Sequence, residues 1–165
     1  MINKIKLSLV LLVIAISQSN ALIEVDITRG NLDPLPIAVS PLSAEKETED
    51  NLTKELKEEN IGQKISEVVE NNLKNSGLFN PLNKDAFLQK PDIAHLKPRF
   101  EDWSLIKAQA LITGKVTLVN EKLRVEFRLW DVLAGKEMMA LAFTTVPSNW
   151  RRVGHIITDK VYERL

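Results

Sequence analysis

KLRVEFRLW, residues 122–130, decides the fold class. Leu123, Val125, Phe127 and Leu129 alternate with Lys122, Arg124, Glu126 and Arg128. A period of two places the apolar set on one face of a β-strand and the charged set on the other, so the strand is half buried. Trp130 continues the charged face, which makes it the best candidate for an exposed aromatic contact. Leu111 to Val119 precedes the strand across a short Asn120-Glu121 turn, and Met138 to Val146 follows a turn containing Ala134-Gly135. Three consecutive strands therefore form an antiparallel meander with one face to cover.

Two helical patterns can supply that cover. Ile61, Ile65, Val68, Val69 and Leu73 recur at steps of three and four, with Lys64, Glu67, Glu70 and Lys74 opposite, which is the spacing of an amphipathic helix. Ser76-Gly77 ends it, and Leu78 and Phe79 are placed to fold back on its last turn as the apolar contact of a C-terminal cap. Near the chain end, Trp150, Val153, Ile157 and Val161 form a second buried stripe, flanked by Ile156 and Leu165, with Ser148 or Asn149 available as its cap. Between these helices, Asn80 to Pro98 reads as a long Pro-punctuated connection and Glu101 to Lys107 as a short helix carrying Trp103. Upstream, Ile37-Ala38-Val39 reads as a short strand. The order of elements predicts an α/β fold, a two-layer sandwich in which helices pack on one face of a mixed β-sheet.

Glu45 to Asn60 differs in composition from its surroundings. It holds seven acidic residues and three Lys, with only Leu52 and Leu56 apolar beyond Ala44 at its margin. The pattern reads as a solvated loop with a helical second half. An acidic protein-binding run is the alternative.

The amino terminus carries an export pattern. Lys4 and Lys6 precede an apolar run from Leu7 to Ile16 that only Ser8 interrupts, and Ser19-Asn20-Ala21 puts small residues at a cleavage position. Residues 1–21 read as a signal peptide. The apolar run is half the length of about 20 residues that a spanning helix needs, which weighs against a membrane anchor. No Cys follows to carry a lipid, so the expected product is soluble and secreted or periplasmic, without membrane insertion after cleavage. Removing 21 of the 165 residues leaves 144, enough for one domain with a modest core. Removing Lys4 and Lys6 leaves 20 basic against 22 acidic residues, a net charge of −2 that draws the chain to neither nucleic acid nor an anionic membrane. The absence of Cys excludes disulfides and thiolate chemistry.

Catalytic patterns are missing from the sequence. His95 and His155 are the two His, neither with a second His or a Cys at ligand spacing. His155 falls at the edge of a helix interface. No Ser lies in a G-x-S-x-G elbow and no Gly-rich segment has a phosphate-loop pattern. Arg151-Arg152 with Lys97 and Arg99, and Trp103 and Trp150 as stacking faces, would be the elements of an RNA-binding module; the net charge and the core positions of both Trp argue against it. No catalytic residue, metal ligand or cofactor site is assigned.

What remains is the segment directly after the cleavage site. Leu22, Ile23, Glu24, Val25, Asp26, Ile27 and Thr28 form a bare strand-like run, separated from the rest by Asn31 to Pro36 with its two Pro. The division is thus 1–21 signal peptide, 22–34 partner-binding strand and linker, and 35–165 α/β domain. An extended run on a linker can add to another protein's sheet edge, with Ile23, Val25 and Ile27 or else Leu22, Glu24 and Asp26 as the contacting face. Alternatively it joins the domain's own sheet edge.

Four stretches together resemble one family: NNLKNSGLFNPL at 71–82, FEDWSLIKAQALITGKV at 100–116, LRVEFRLWDV at 123–132 and NWRRVGHIITDKVYERL at 149–165. They resemble, in the same order, the amino-terminal domain of TolB, the periplasmic protein of the Tol-Pal envelope system. The resemblance implies a periplasmic, non-enzymatic adaptor whose segment after the signal peptide, here Leu22 to Thr28, binds the carboxy-terminal domain of the inner-membrane protein TolA. It implies a role in outer-membrane integrity and in envelope constriction at cell division. Family members continue into a six-bladed β-propeller that carries most of the contact with the lipoprotein Pal; this chain ends at Leu165, so it is expected to be a truncated first domain without that contact. A small periplasmic ligand-binding domain or enzyme is the reading from a different class.

Overall fold

The computed structural model describes residues 33–165. The export signal and Leu22 to Thr28 lie outside them. The described elements are, in order, β1 (Leu35–Val39), β2 (Ser43–Ala44), α1 (Lys46–Leu56), α2 (Ile61–Asn75), β3 (Phe79–Pro81), α3 (Pro91–Ala94), α4 (Phe100–Leu105), β4 (Ala110–Val119), β5 (Lys122–Asp131), β6 (Lys136–Thr145) and α5 (Trp150–Arg164). Short 3-10 turns lie at Lys84–Ala86 and Pro147–Asn149.

The meander forms as its alternation dictates. β4 and β5 pair antiparallel from Ala110↔Asp131 to Val119↔Lys122, and the hairpin turns at Asn120 and Glu121. Both turn residues have positive φ, 50° and 59°, the conformation that lets a two-residue turn match the twist of its strands. β6 pairs with β5 antiparallel, with an irregularity in register at Leu129/Trp130. The sheet runs β3-β1-β4-β5-β6, with β2 beside β4; β1 is parallel to both β3 and β4. It is therefore mixed, as the order of elements predicted.

The main core lies on one face. Leu123, Val125, Phe127 and Leu129 of β5 are fully buried there with Ile37 and Val39 of β1, under Ile61, Ile65, Val69 and Leu73 of α2 and Trp150, Val153, Ile157 and Val161 of α5. Both predicted helical stripes are the buried ones. Gly154 lets α2 and α5 approach closely, since a Cβ there would press on Val68. Pro147–Asn149 leads into α5 as a 3-10 turn, so neither Ser148 nor Asn149 caps it with its side chain.

The opposite face is covered at one end only. Ala38, Leu111, Trp130 and Val132 meet Ala94 of α3 and Trp103 of α4, with Phe87 and Phe100 beside them. The cause is the parallel pairing: the chain leaves β3 at one edge, must pass β1 to reach β4, and places α3 and α4 over the second face on its way. Trp130 is consequently buried, its Nε1 donating to Thr113 Oγ1 at 2.8 Å and its ring edge-on to Phe100 at 5.8 Å. It is not the exposed contact that alternation suggested.

Two further local expectations are corrected. The charged run is helical from near its start and not in its second half alone: α1 spans Lys46–Leu56 with Leu52 fully buried against the core. Glu47 and Glu49 stand in its first turn, where the helix dipole favours negative charge, and Glu49 Oε1 also accepts the Ile61 N–H at the start of α2. Phe79 is buried in the same cluster as Leu73 of α2 and also begins β3, with its ring edge-on to Tyr162 at 5.4 Å, while Leu78, the other expected contact, is exposed.

One close approach fixes α2 on the sheet. Ser66 Oγ accepts the Leu42 N–H at 2.9 Å and faces the Ser40 carbonyl at 3.1 Å, and a Cβ at Gly62 would collide with the Leu42 carbonyl oxygen. Gly62→Ala should therefore destabilise the chain. Overpacking costs about 1 to 3 kcal/mol and the helix preference for Ala over Gly returns roughly 1; contact with a backbone oxygen, which cannot swing away, puts the overpacking at its upper end and the net loss at about 2 kcal/mol. Urea unfolding checks it; equal stability would mean that the β1–β2 corner yields freely.

Candidate functional site

Leu22, Ile23, Glu24, Val25, Asp26, Ile27 and Thr28 all fall outside the described residues. Their point of departure is described. Leu35 pairs with Phe79, so the strand takes in Pro36, which was expected to close the linker. Pro36 has no N–H to give, yet its carbonyl accepts the Gln109 N–H at 2.9 Å, and pairing of β1 with β4 begins one residue later at Ile37↔Ala110. A strand start tolerates Pro for this reason.

The four basic residues weighed as a nucleic-acid patch are not brought together. Arg151 lies at the start of α5 over the Trp150 ring, 4.1 Å from its centroid, and 3.5 Å from Glu58. Arg99 lies before α4, across the sheet, paired with Asp102 at 2.6 Å. Trp103 and Trp150 are both buried. Glu58 also binds Lys64 at 3.0 Å, and this bond, with the Arg151 charge behind it, holds its carboxyl below the usual carboxylate range.

His155 sits at the edge of the α2–α5 interface, its Nδ1 accepting from the Asn72 amide at 2.9 Å. His95 Nδ1 is 3.2 Å from Ser43 Oγ, which also faces the Gly114 carbonyl at 3.3 Å. No acidic residue completes this pair as a triad among the described hydrogen bonds, and no group of three His, Asp or Glu among the described residues could hold a metal.

Depressions in the surface were candidates for a small-molecule site. One of about 320 Å³ is lined by Pro41, Ser43, Glu49, Asn60, Gln63 and Asp92. That volume is within the range of ligand sites, but Glu49 is engaged by the Ile61 N–H and Ser43 by Gly114. A larger, open hollow of about 680 Å³ lies between α4 and the β5–β6 turn, lined by Phe100, Leu105, Val132 and Leu133 with Glu101 and Ser104 of α4 as its polar side chains. Among the described residues, no helix is long and apolar enough to cross a membrane.

The most organised charge cluster stands on the second sheet face, where His95 and Leu96 border it. Lys115 of β4 lies directly across from Glu126 of β5, and Arg124 and Arg128 flank Glu126 two residues away on either side. Arg124 Nε donates to Glu126 Oε1 at 2.8 Å. This bond first, and then the charges of Lys115, Arg124 and Arg128, lower the Glu126 pKa. The alternation of the strand was readable, but the cross-strand partner was not, because register is a tertiary fact.

The sequence model of the TolB amino-terminal domain matches residues 23–138. The chain belongs to the TolB amino-terminal domain family. It is 76% identical over 156 residues to the Tol-Pal system protein TolB of Pelagibacter ubique (strain HTCC1062), a match that covers 94% of this chain and 35% of that protein. The chain thus spans about a third of the length of this TolB relative. Among solved structures, the fold is similar to TolB from Acinetobacter baumannii, with a TM-score of 0.61 at 18% identity over 80% of this chain and 28% of that one. It is also similar to lipoprotein GNA1162 from Neisseria meningitidis, with a TM-score of 0.51 at 17% identity over 79% of this chain and 96% of that one. This is the family that the four resembling stretches implied.

Proposed function

We propose that the chain is a periplasmic, non-enzymatic adaptor of the Tol-Pal system, whose segment Leu22 to Thr28 binds the carboxy-terminal domain of TolA. The observation that carries this reading is the 76% identity to a Tol-Pal system protein TolB over nearly the whole chain. The family match also begins at residue 23, inside the segment. Main-chain pairing to a sheet edge supplies affinity without a deep pocket, and alternate side chains supply fit. Ile23, Val25 and Ile27 form the apolar face suited to contact. Through TolA the adaptor would serve outer-membrane integrity and envelope constriction at division; contact with Pal, implied for the propeller of family members, is not assigned to these residues. The alternative, a ligand-binding domain or enzyme, would need the depression lined by Ser43 and Glu49, both of which already bond within the protein.

Binding of purified TolA carboxy-terminal domain to the mature chain tests the proposal. Deleting residues 22–28 should weaken binding more than tenfold and leave thermal unfolding unchanged. Undiminished binding by the deleted chain would refute the role of the segment.

A further inference from the structure

The sheet ends on one side in β6, which among the described residues has β5 as its single partner. Long exposed edges invite pairing, and natural proteins blunt them. Here the blunting is confined to the beginning: Lys136 and Glu137 are charged, the register is irregular opposite Leu129/Trp130, and Arg164 Nε binds the Met138 carbonyl at 3.3 Å. From Ala140 to Thr144 the pairing is regular and the edge is plain.

The side chains of that stretch are arranged unequally on the two faces. Ala140, Ala142 and Thr144 lie opposite Arg128, Glu126 and Arg124 respectively, and all three are exposed. They make a low trough beside a row of charges that reads plus, minus, plus along about 13 Å of strand. Arg124 and Arg128 keep 43% of their side-chain surface in water and Glu126 36%. On the other face, Leu141 is 37% exposed at the border of the core.

We propose that the β6 edge accepts an extended segment of a partner protein, whose side chains alternate acidic, basic, acidic on the charged face and are apolar between. A strand added beside β6 lies two strand spacings from β5, roughly 9.5 Å. Arg and Glu side chains extended from each side meet across that distance only when the residues between are small, as Ala140 and Ala142 are. The acidic residues then face Arg124 and Arg128, sharing them with Glu126 and with Glu137, which lie 2.8 Å and 3.6 Å from them; the basic residue faces Glu126, and an apolar residue covers Leu141. Opposite charges on neighbouring strands stabilise pairing and like charges oppose it, so the row specifies which segment binds as well as that one can. The proposal concerns the β6 edge and does not rest on TolA binding by residues 22–28.

The test uses a seven-residue peptide with Glu, Lys and Glu at alternate positions and Val between, and a counterpart with Lys, Glu and Lys. Amide NMR of the mature chain should show shifts along β6, with the first peptide bound at least tenfold more tightly than the second at low salt and the difference shrinking as salt screens the charges. The double variant Arg124→Glu with Arg128→Glu, at half-buried positions and with its fold verified by circular dichroism and thermal unfolding, should reverse the preference. Equal affinities, shifts elsewhere or an unreversed preference would overturn the proposal. So would binding seen only after deletion of residues 22–28, which would assign the edge to the chain's own segment.

Discussion

Replacing Phe127 with Ala lowers the stability of the chain by about 3 to 5 kcal/mol, the cost of deleting a buried aromatic side chain that its surroundings cannot refill. Phe127 is completely buried at the middle of β5, stacked on Phe143 with centroids 6.1 Å apart. Its neighbour on β4 is Gly114, which brings no side chain to close a gap, and on the other side only Leu141 of β6 stands opposite it. A Cβ at Gly114 would itself collide with the Glu126 carbonyl oxygen, so no simple second change fills the cavity. Urea unfolding should show a lower midpoint with an unchanged slope, because the same surface is exposed on unfolding. A loss below about 1 kcal/mol would mean that the sheet and α5 close over the vacancy, against the rigidity of packed cores.

Trp103→Ala is expected to cost a similar amount, again about 3 to 5 kcal/mol, although the residue belongs to a separate and smaller cluster. Trp103 is 1% exposed, edge-on to Phe87 at 5.0 Å, and donates from Nε1 to Gln89 Oε1 at 3.1 Å. Gln89 holds the connection together: its Oε1 also accepts the Arg99 N–H and its Nε2 donates to the Lys97 carbonyl. Loss of the indole removes both the filling of the cluster and one donor to a buried carbonyl. Trp103→Phe separates the two contributions, retaining most of the apolar contact while leaving the Gln89 oxygen one donor short. Its expected cost is about 0.5 to 1.5 kcal/mol, the net worth of one hydrogen bond, because Gln89 Oε1 keeps the Arg99 N–H. Thermal unfolding of both variants, followed by hydrogen exchange on residues 82–108, checks the order. Equal stability of the Phe variant and the parent would show that the bond to Gln89 is dispensable.

The meander and the two long helices were legible because their signals are local. Five residues of alternation around Phe127, a two-residue turn at Asn120-Glu121, and apolar steps of three and four through α2 and α5 each specify an element from its own side chains. The family was legible too, in four stretches that span those same elements. Less legible was α1: its charge suggested a loop, yet Leu52 and Leu56, one helical turn apart, are enough to attach an otherwise solvated helix to the core. β3 was missed because three residues, one of them Pro, carry no periodicity; only β1 alongside makes Phe79–Pro81 a strand.

Trp130 marks the boundary between the two kinds of information. The sequence by itself determined which face of β5 it occupies, because side chains alternate strictly along a strand. Whether that face meets water was decided elsewhere, by the parallel placement of β3, β1 and β4, which carries Phe100 and Trp103 across the sheet and over it. The same holds for the charged row. Arg124, Glu126 and Arg128 were readable as one face, but their opposition to Lys115 on one side and to Ala140 and Ala142 on the other exists only once register is set. Local propensity and alternation act within a few residues, whereas register and crossover join positions far apart in the chain, and those are selected by the packing of the whole sheet.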